Sequence, residues 1–595
     1  MNEKMTRKEW ERYERVERDF HAHPLRYRCR ILLLLLEGLA VALLLGAIIA
    51  ALVWIALADP KGNVRLLGFL VLNIGLTVFL YLKSVLERPW KGLPNLSERE
   101  YPNLFALVRE TAEVVGAPRI HRICLVPDAF NAAVTVAFPF IPGLRRNILM
   151  LGYPLLAAAN RRTLRGILTH ELGHVAHHDT LLGGALFHLQ TFWNVLQLGI
   201  FTGLLSPWRK SYLRRLDRLM VPIRRKQELA ADRTIAERFG IDTLRETMVM
   251  LEFRGAEMED LSNIVNTAFK DWTPDAPPPG VAAAIRAALR RPLPEEEARR
   301  RLDRSLRALV PPMEEHPPLA TRVGTGRVEE LLPFTASRAD ALEAIFGSAE
   351  TLDPLVDATF QPYCVAYVRA SRDQQALAAR RLADLTAAAP SVDGMIERIQ
   401  LLQLLERREE ADVLLRSARA AYPGSTALET IDLAAQLAHA PSAEAGEPLA
   451  DRLEELLVAE PMLRIHTEDE LMAHYLEVGD AERVKRLLDL GQKSDKAVRK
   501  RLGAKLKPTD DLEPLLLSDQ TREEISHAFP RRYVRAIYPV QRHHTGTGVA
   551  QSYYVIRPGW LSPSASEFAF WGEQVGVNLV LGNRALFRRL EELGI

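Results

Sequence analysis

Residues 161–178 read RRTLRGILTHELGHVAHH. Leu164, Leu168 and Val175 recur at helical spacing, and Asn160 stands where an N-cap belongs. A helix is therefore expected over Arg161–His178. Inside it lies His170-Glu171-Leu172-Gly173-His174, an H-E-x-x-H pattern. Residues four apart share a helix face, so both imidazoles can reach one ion. Glu171 leaves the helix at an adjacent angle and can reach a water beside the ion rather than the ion itself. The alternative is chance: with 15 histidines in the chain, an accidental match has a probability on the order of a few per cent. A chance match also has no reason to be helical or to follow a strand and a turn. The pattern is read as a zinc site.

Two imidazoles leave zinc short of ligands, because a catalytic site takes three protein groups and keeps one position open. The three cysteines, Cys29, Cys124 and Cys364, are scattered and form no CxxC pair, so any metal is held by His and carboxylate. The stretch Arg225–Phe239, RKQELAADRTIAERF, offers Glu228 and Asp232, again four apart. Two acids on one helix face repel each other unless a cation lies near. Ala230 and Ala231 between them allow another helix to approach closely. Spacing alone leaves two readings open, a ligand pair or an exposed and charged amphipathic helix. Upstream, Tyr101–Val115 carries Leu104, Leu107, Val108 and Ala112 on one helical face. Arg122–Val126, Ala132–Ala137 and Ile148–Leu151 read as strands, the last ended by Gly152.

The composition sets outer limits. The chain has 595 residues, with 77 Lys+Arg against 75 Asp+Glu and a net charge of +2. That length predicts more than one domain, and the balance excludes the basic excess of a nucleic-acid binder. A hydrophobic content of 48% excludes a wholly disordered chain. Ile31–Ala58, ILLLLLEGLAVALLLGAIIAALVWIALA, is apolar except for Glu37, which is placed to reach the interface. Leu66–Leu82 is a second apolar run, and the connector Asp59–Arg65 is short. A transmembrane hairpin is expected over 31–88, with spans at 31–58 and 66–82. Ala56-Leu57-Ala58 resembles a signal-peptide cleavage site, but signal cores run only about 7–15 residues. Residues 1–30 hold nine Lys/Arg, and Lys83, Arg88 and Lys91 follow the second run. The connector holds only Lys61 and Arg65, so both ends are expected in the cytoplasm. A third apolar stretch, Leu181–Trp208, separates His174 from Glu228. A single crossing would put those two on opposite sides, and the basic Arg209–Lys226 offers no return span. The stretch is expected to dip into the membrane, lie on its surface or pack as a hairpin.

Together, HELGH at 170–174 and ELAAD at 228–232 resemble the integral-membrane zinc metallopeptidases typified by HtpX and the CAAX prenyl proteases. Asn131-Ala132 after a short strand, ILMLGYPLL (Ile148–Leu156) before the zinc helix, and His316-Pro317-Pro318 followed by Arg322 agree with that pattern. The resemblance covers about residues 95–325. Two features depart from it. Arg161-Arg162 stand where acids suit the positive helix end. The segments PDAPPPG (Pro274–Gly280) and PEEEARRRLDR (Pro294–Arg304) separate the Glu228 helix from His316. The resemblance implies an α+β chain, mostly α, with a zincin-type helical metallopeptidase domain and a small sheet over 95–330. It implies one Zn2+ per chain on His170, His174 and Glu228, with Glu171 as general base and His316 stabilising the oxyanion. Asp232, Asn131 and Arg322 would stand around the ligands, Asp232 fixing the tautomer of a ligand His. His177 and His178 read as helix-end cations. The implied setting is a bacterial inner membrane with the N-terminus and catalytic domain cytoplasmic. Protein or peptide substrates are implied, in membrane protein quality control or regulated proteolysis. No nucleic-acid partner is expected, and oligomerisation stays open.

From about Asp340 the sequence turns to Ala, Leu, Arg and Glu at helical spacing. Ala378-x3-Leu382-x2-Leu385-x4-Pro390 recurs as Ala411-x3-Leu415-x2-Ala418-x4-Pro423 and as Leu449-x3-Leu453-x2-Leu456-x4-Pro461. This resembles the second-helix half of a tetratricopeptide repeat. An α-solenoid over 340–510 is expected, with a face for a protein partner; irregular helical pairs are the alternative. A small α+β unit is expected over 529–595, with strands YVRAIYPV, QSYYVIRP and GVNLVL and a helix over Arg584–Leu593. Arg531, Arg532, His543 and His544 read there as a solvated face. Two other functions fit the same sequence: a catalytically silent membrane adaptor working through the repeats, and a narrow CAAX-type processing protease. Glu171 argues against the first, since a structural metal site needs no base.

Overall fold

The computed structural model describes residues 5–60, 62–86, 90–137, 146–176, 193, 206–259, 261–502, 506–510, 512–515, 517, 534–544, 549–558, 579–581 and 584–593. They are mostly helical, with two four-stranded sheets. Two compact units emerge, Lys8–Cys364 and Val365–Ile595 with Met1–Arg7.

In the first unit, helix α1 (Arg7–Ala22) precedes α2 (Pro24–Ala58) and α3 (Val64–Leu86). Among the described residues, α2 is long and apolar enough to cross a membrane, and its most apolar window is 6% buried. Leu33, Leu43, Leu44 and Trp54 all face outward, a surface that is costly in water and suited to lipid. The second apolar run lies on α3. Glu37 does not simply reach for the interface. Its carboxylate accepts two hydrogen bonds from Arg215, at 2.6 and 2.9 Å, and one from Trp208 Nε1 at 2.9 Å. An ionised group on an apolar helix requires such a partner.

The first sheet has the order β1 (Asn95–Leu96), β2 (Ile120–Val126), β4 (Arg146–Gly152), β3 (Ala132–Ala137). The β2–β4 pair is parallel and the other two pairs are antiparallel. One glycine is dictated by crowding: a Cβ on Gly152 would lie 1.8 Å from the carbonyl oxygen of Ala129. Helix α4 (Pro102–Val115) buries Leu104, Leu107, Val108 and Ala112, as its spacing predicts, and α5 (Tyr153–Ala158) is fully buried.

Helix α6 (Arg161–Ala176) is capped by Asn160, whose Oδ1 accepts from Thr163 N at 2.8 Å while Thr163 Oγ1 accepts from Asn160 N at 2.9 Å. The acid missing from its first turn arrives from another helix. Glu246 lies 3.2 Å from Arg162 and accepts from Asn160 Nδ2 at 2.7 Å. Helices α7 (Ser206–Phe239) and α8 (Ile241–Glu259) pack on α6. Of the 181–208 stretch only Trp193 and residues 206–208 are described, and His177 and His178 lie outside the described residues. The segments separating α7 from His316 include α9 (Leu261–Ala268), α10 (Val281–Leu289) and α11 (Glu295–Arg307), and α12 (Leu319–Val323) follows His316.

This unit continues past residue 330. Ala341 N donates to Ala159 O at 3.0 Å. Glu343 takes both arms of Arg290, at 2.6 and 2.9 Å. Asp353 accepts from Tyr153 Oη at 2.9 Å and from Arg286 at 2.5 Å.

The second unit is built from helices Val392–Leu404, Arg408–Ala421, Thr426–Ala438, Ala443–Ala459, Glu468–Val478 and Ala481–Leu502. Ser391, Ser425 and Ser442 cap three of them through their side chains. The recurring positions Ala411, Leu415, Ala418, Leu453 and Leu456 are buried. A second sheet joins Leu512–Pro514, Val534–His544, Val549–Pro558 and Leu579–Leu581 in that order, with helix Arg584–Glu592 beside it. Val540, Val555, Leu586 and Leu590 form its core. Arg531 and Arg532 lie outside the described residues.

Candidate active site

Helices α6 and α7 approach closely because small residues meet between them. A Cβ on Gly173 would lie 3.8 Å from the Cα of Ala231. That approach brings His170, His174 and Glu228 together. The two Nε2 atoms are 3.2 Å apart. Glu228 Oε2 is 3.3 Å from His170 Nε2, and Glu228 Oε1 is 3.3 Å from His174 Nε2. Tetrahedral zinc with ligand distances of about 2.0–2.1 Å requires donor atoms about 3.3 Å apart. The imidazole pair meets that requirement, each imidazole nitrogen finds a Glu228 oxygen at that distance, and one donor atom from each residue lies within 4.8 Å of the others. Two imidazole nitrogens turned toward each other and toward a carboxylate also call for a positive charge among them. The donor set fits zinc.

The supporting groups are arranged in series. Asp232, almost fully buried, places Oδ1 3.1 Å from His170 Nδ1. Arg322 grips Asp232 with both arms, at 2.7 and 2.8 Å, and lies 3.6 Å from Glu228. His316 approaches from the loop ahead of α12, its Nδ1 2.9 Å from Glu228 Oε2, with the ring mostly exposed. Asn131 sits at the start of β3, where its carbonyl accepts from Gly152 N at 2.9 Å. Among the described contacts, none joins its side chain to the cluster.

The electrostatics follow from this packing. Burial works against the charged form of Glu228, but hydrogen bonds from His170, His174 and His316 outweigh it and hold the carboxyl well below its usual range. Asp232 is likewise depressed, burial being overcome by Arg322 and His170. Burial also disfavours a charged His170, yet Asp232 and Glu228 raise its pKa to about 9. Burial pushes Glu171 up, against the attraction of His170 and His174. His316 is raised by its hydrogen bond to Glu228.

Residues 103–325 match peptidase family M48. That stretch, a little over a third of the chain, is similar to the M48 peptidases. Both candidate ligand helices and the His316 loop lie inside it. Curated relatives with similar sequence include three named protease HtpX homolog. The one from Polynucleobacter necessarius is 30% identical over 122 residues, 20% of this chain and 41% of the relative. That from Pelotomaculum thermopropionicum is 31% identical over 179 residues, 28% of this chain and 60% of the relative. That from Thermococcus kodakarensis is 32% identical over 95 residues, 16% and 31% respectively. The chain thus spans from about a third to three fifths of the length of these relatives.

Two groups on α7 escaped the sequence reading. Arg215 of α7 neutralises Glu37, and Arg225, one turn before Glu228, holds the His316 loop. Only the position of Arg225 three residues ahead of a ligand candidate offered a signal.

Proposed function

We propose that the chain is a membrane-anchored zinc endopeptidase working on the cytoplasmic side. The observation that carries this reading is the convergence of His170, His174 and Glu228 at zinc-compatible spacing, with Glu171 beside them. The M48 match and the protease names of the relatives support it. Held by those three residues, zinc would supply Lewis acidity, bringing water's ionisation to near neutral pH and polarising a carbonyl. Glu171 takes the water's proton and returns it to the leaving amine. Its burial suits the task, because a carboxyl with a raised pKa holds a proton more readily. Asp232, backed by Arg322, fixes the tautomer and ring orientation of His170. The exposed imidazole of His316 donates to the oxyanion that develops on the substrate carbonyl.

Strand β3 is an edge of the first sheet among the described residues, so its outer backbone groups can pair with an extended peptide. Asn131 stands at the head of that strand. The apolar α2, with α3 as a second span, ties the domain to the bilayer, and the helices of the second unit offer a surface for protein partners.

Purified protein in detergent should hold one zinc per chain and cleave an unfolded model protein. The Glu171→Gln variant should keep the zinc and lose cleavage by a factor of about 10²–10⁴. Full cleavage by Glu171→Gln would sink the mechanism.

A further inference from the structure

The exposed ring of His316 is carried by residues 308–318, which join α11 to α12 and contain no helix or strand. Pro311, Pro312, Pro317 and Pro318 limit its backbone, and buried Pro317 anchors its far end, but residues 311–316 ahead of it are half-buried or exposed. An exposed side chain on such a loop has few contacts of its own to hold it over Glu228. The contact that holds the turn itself comes from α7. Arg225 Nε donates to Glu314 O at 2.8 Å, and its Nη2 donates to Pro311 O at 3.0 Å. Those two carbonyls bracket a turn already closed by Glu314 N donating to Pro311 O at 3.0 Å. Arg224 adds a salt bridge to the Glu315 side chain. Glu17 of α1 lies 3.6 Å from Arg225, a counter-charge that leaves the fork free for the carbonyls.

Arg225 and Glu228 are three residues apart on one helix, so they lie on neighbouring faces. The same rigid element therefore carries the Glu228 carboxylate and the clamp that sets the height of His316 above it. We infer that Arg225 is the positioning residue for His316: its guanidinium holds the 311–316 turn and so places the imidazole over Glu228. The chemistry is specific to arginine. Two carbonyls approached from one planar fork need fixed, diverging N–H groups, and a lysine ammonium cannot supply that geometry. The inference rests on the hydrolase reading for its consequence in catalysis, but not for the holding of the loop.

The test uses the full chain in detergent and two variants, Arg225→Lys, which keeps the charge, and Arg225→Met, which keeps the length. Hydrogen–deuterium exchange in the metal-free protein reads the loop directly. Both variants should exchange several-fold faster at residues 313–316, with α6 and the Glu228 turn of α7 unchanged. Zinc content should stay at the wild-type level. On a short peptide, kcat should fall about 10–100-fold with KM little changed, since a shift of about 1 Å can cost that much. In a His316→Ala background the same variants should cost nothing further. Unchanged exchange at 313–316 would overturn the inference, as would costs that add to that of His316→Ala. Full rescue of both readouts by Arg225→Lys would show that charge rather than the fork matters and would also overturn it. If the wild-type chain hydrolyses nothing, the hydrolase reading falls, and the exchange measurement still decides whether Arg225 holds the loop.

Discussion

At the scale of single residues, the metal cluster has a proton ledger that can be read in solution. His170 in the metal-free protein has a pKa raised to about 9, above the ordinary 6.5. Its proton therefore stabilises the fold fully below about 6.5, and that contribution is lost as pH rises through 9. Glu228 behaves oppositely: its depressed pKa gives stability present above about 4.5 and lost as pH falls below it. On the proposed reading zinc would take the place of the His170 proton, so its binding would expel it. Calorimetric titration of the metal-free protein at pH 7, in buffers of differing ionisation enthalpy, should report about one proton or more released per zinc. The number should fall as pH rises past 9. Metal-free protein should also lose thermal stability between pH 6.5 and 9 while the zinc-loaded form does not. His174→Ala and Glu228→Ala should fail to retain zinc in dialysis. Zinc uptake with no proton release at pH 7 would contradict this geometry.

Among the helices, the packing of α6 explains both what the sequence disclosed and what it withheld. The HELGH spacing disclosed a shared face because a helix fixes which residues are neighbours three and four apart. Asn160 disclosed the start of α6 because a cap is a local interaction. Spacing offered Glu228 only as one of two acids, since the choice between them depends on how α7 crosses α6; it was the resemblance that singled it out. Asp232 turns toward His170 and Arg322, while Glu228 reaches both imidazoles. The same limit applied to Glu37 and Arg215, and to Glu246 supplying the charge that Arg161-Arg162 seemed to lack. Each pairing joins residues far apart in the chain, where periodicity carries no information. The α6–α8 crossing provides a test. A Cβ on Gly166 would lie 2.2 Å from Thr247 Oγ1, a short side chain itself hydrogen-bonded to Thr243 O at 2.7 Å. Gly166→Ala must push the helices apart and should cost about 1–3 kcal/mol of stability in denaturant unfolding. Thr247→Ala removes the obstructing oxygen, so the double variant should recover much of the loss. Additive losses would show that Gly166 matters for another reason.

Over the whole molecule, the boundary between chemistry and appendage is where sequence and structure differ most usefully. The composition changes near Asp340, and the family motifs end at Arg322, so a cut at 340 looks natural from sequence. The contacts argue for a later one. Glu343 binds Arg290, Asp353 binds Arg286 and Tyr153, and Asp357 accepts from Ala282 N at 3.0 Å. Tyr153 and Ala282 are fully buried, so these acids satisfy groups at the core of the first unit. Removing them leaves Arg286 without its carboxylate partner, a loss that commonly costs several kcal/mol in a buried setting. A chain ending at Ala339 should therefore be poorly folded and poor in zinc. A chain ending at Ala387, the last residue of the helix begun at Asp353, retains every one of these contacts. It should stay folded, hold zinc and cleave a short unstructured peptide at close to the full-length rate. Cleavage of a native protein target should weaken, because the helices beyond Val392 would no longer raise its effective concentration at the site. Thermal unfolding, zinc content and the two cleavage rates, measured on both truncations, separate the outcomes. If the chain ending at Ala339 is as stable and as active on the peptide as the one ending at Ala387, the acids at 343–357 are ornamental to the catalytic unit. If the longer truncation loses both activities equally while remaining folded and zinc-loaded, the second unit is part of the catalytic machinery rather than a docking surface.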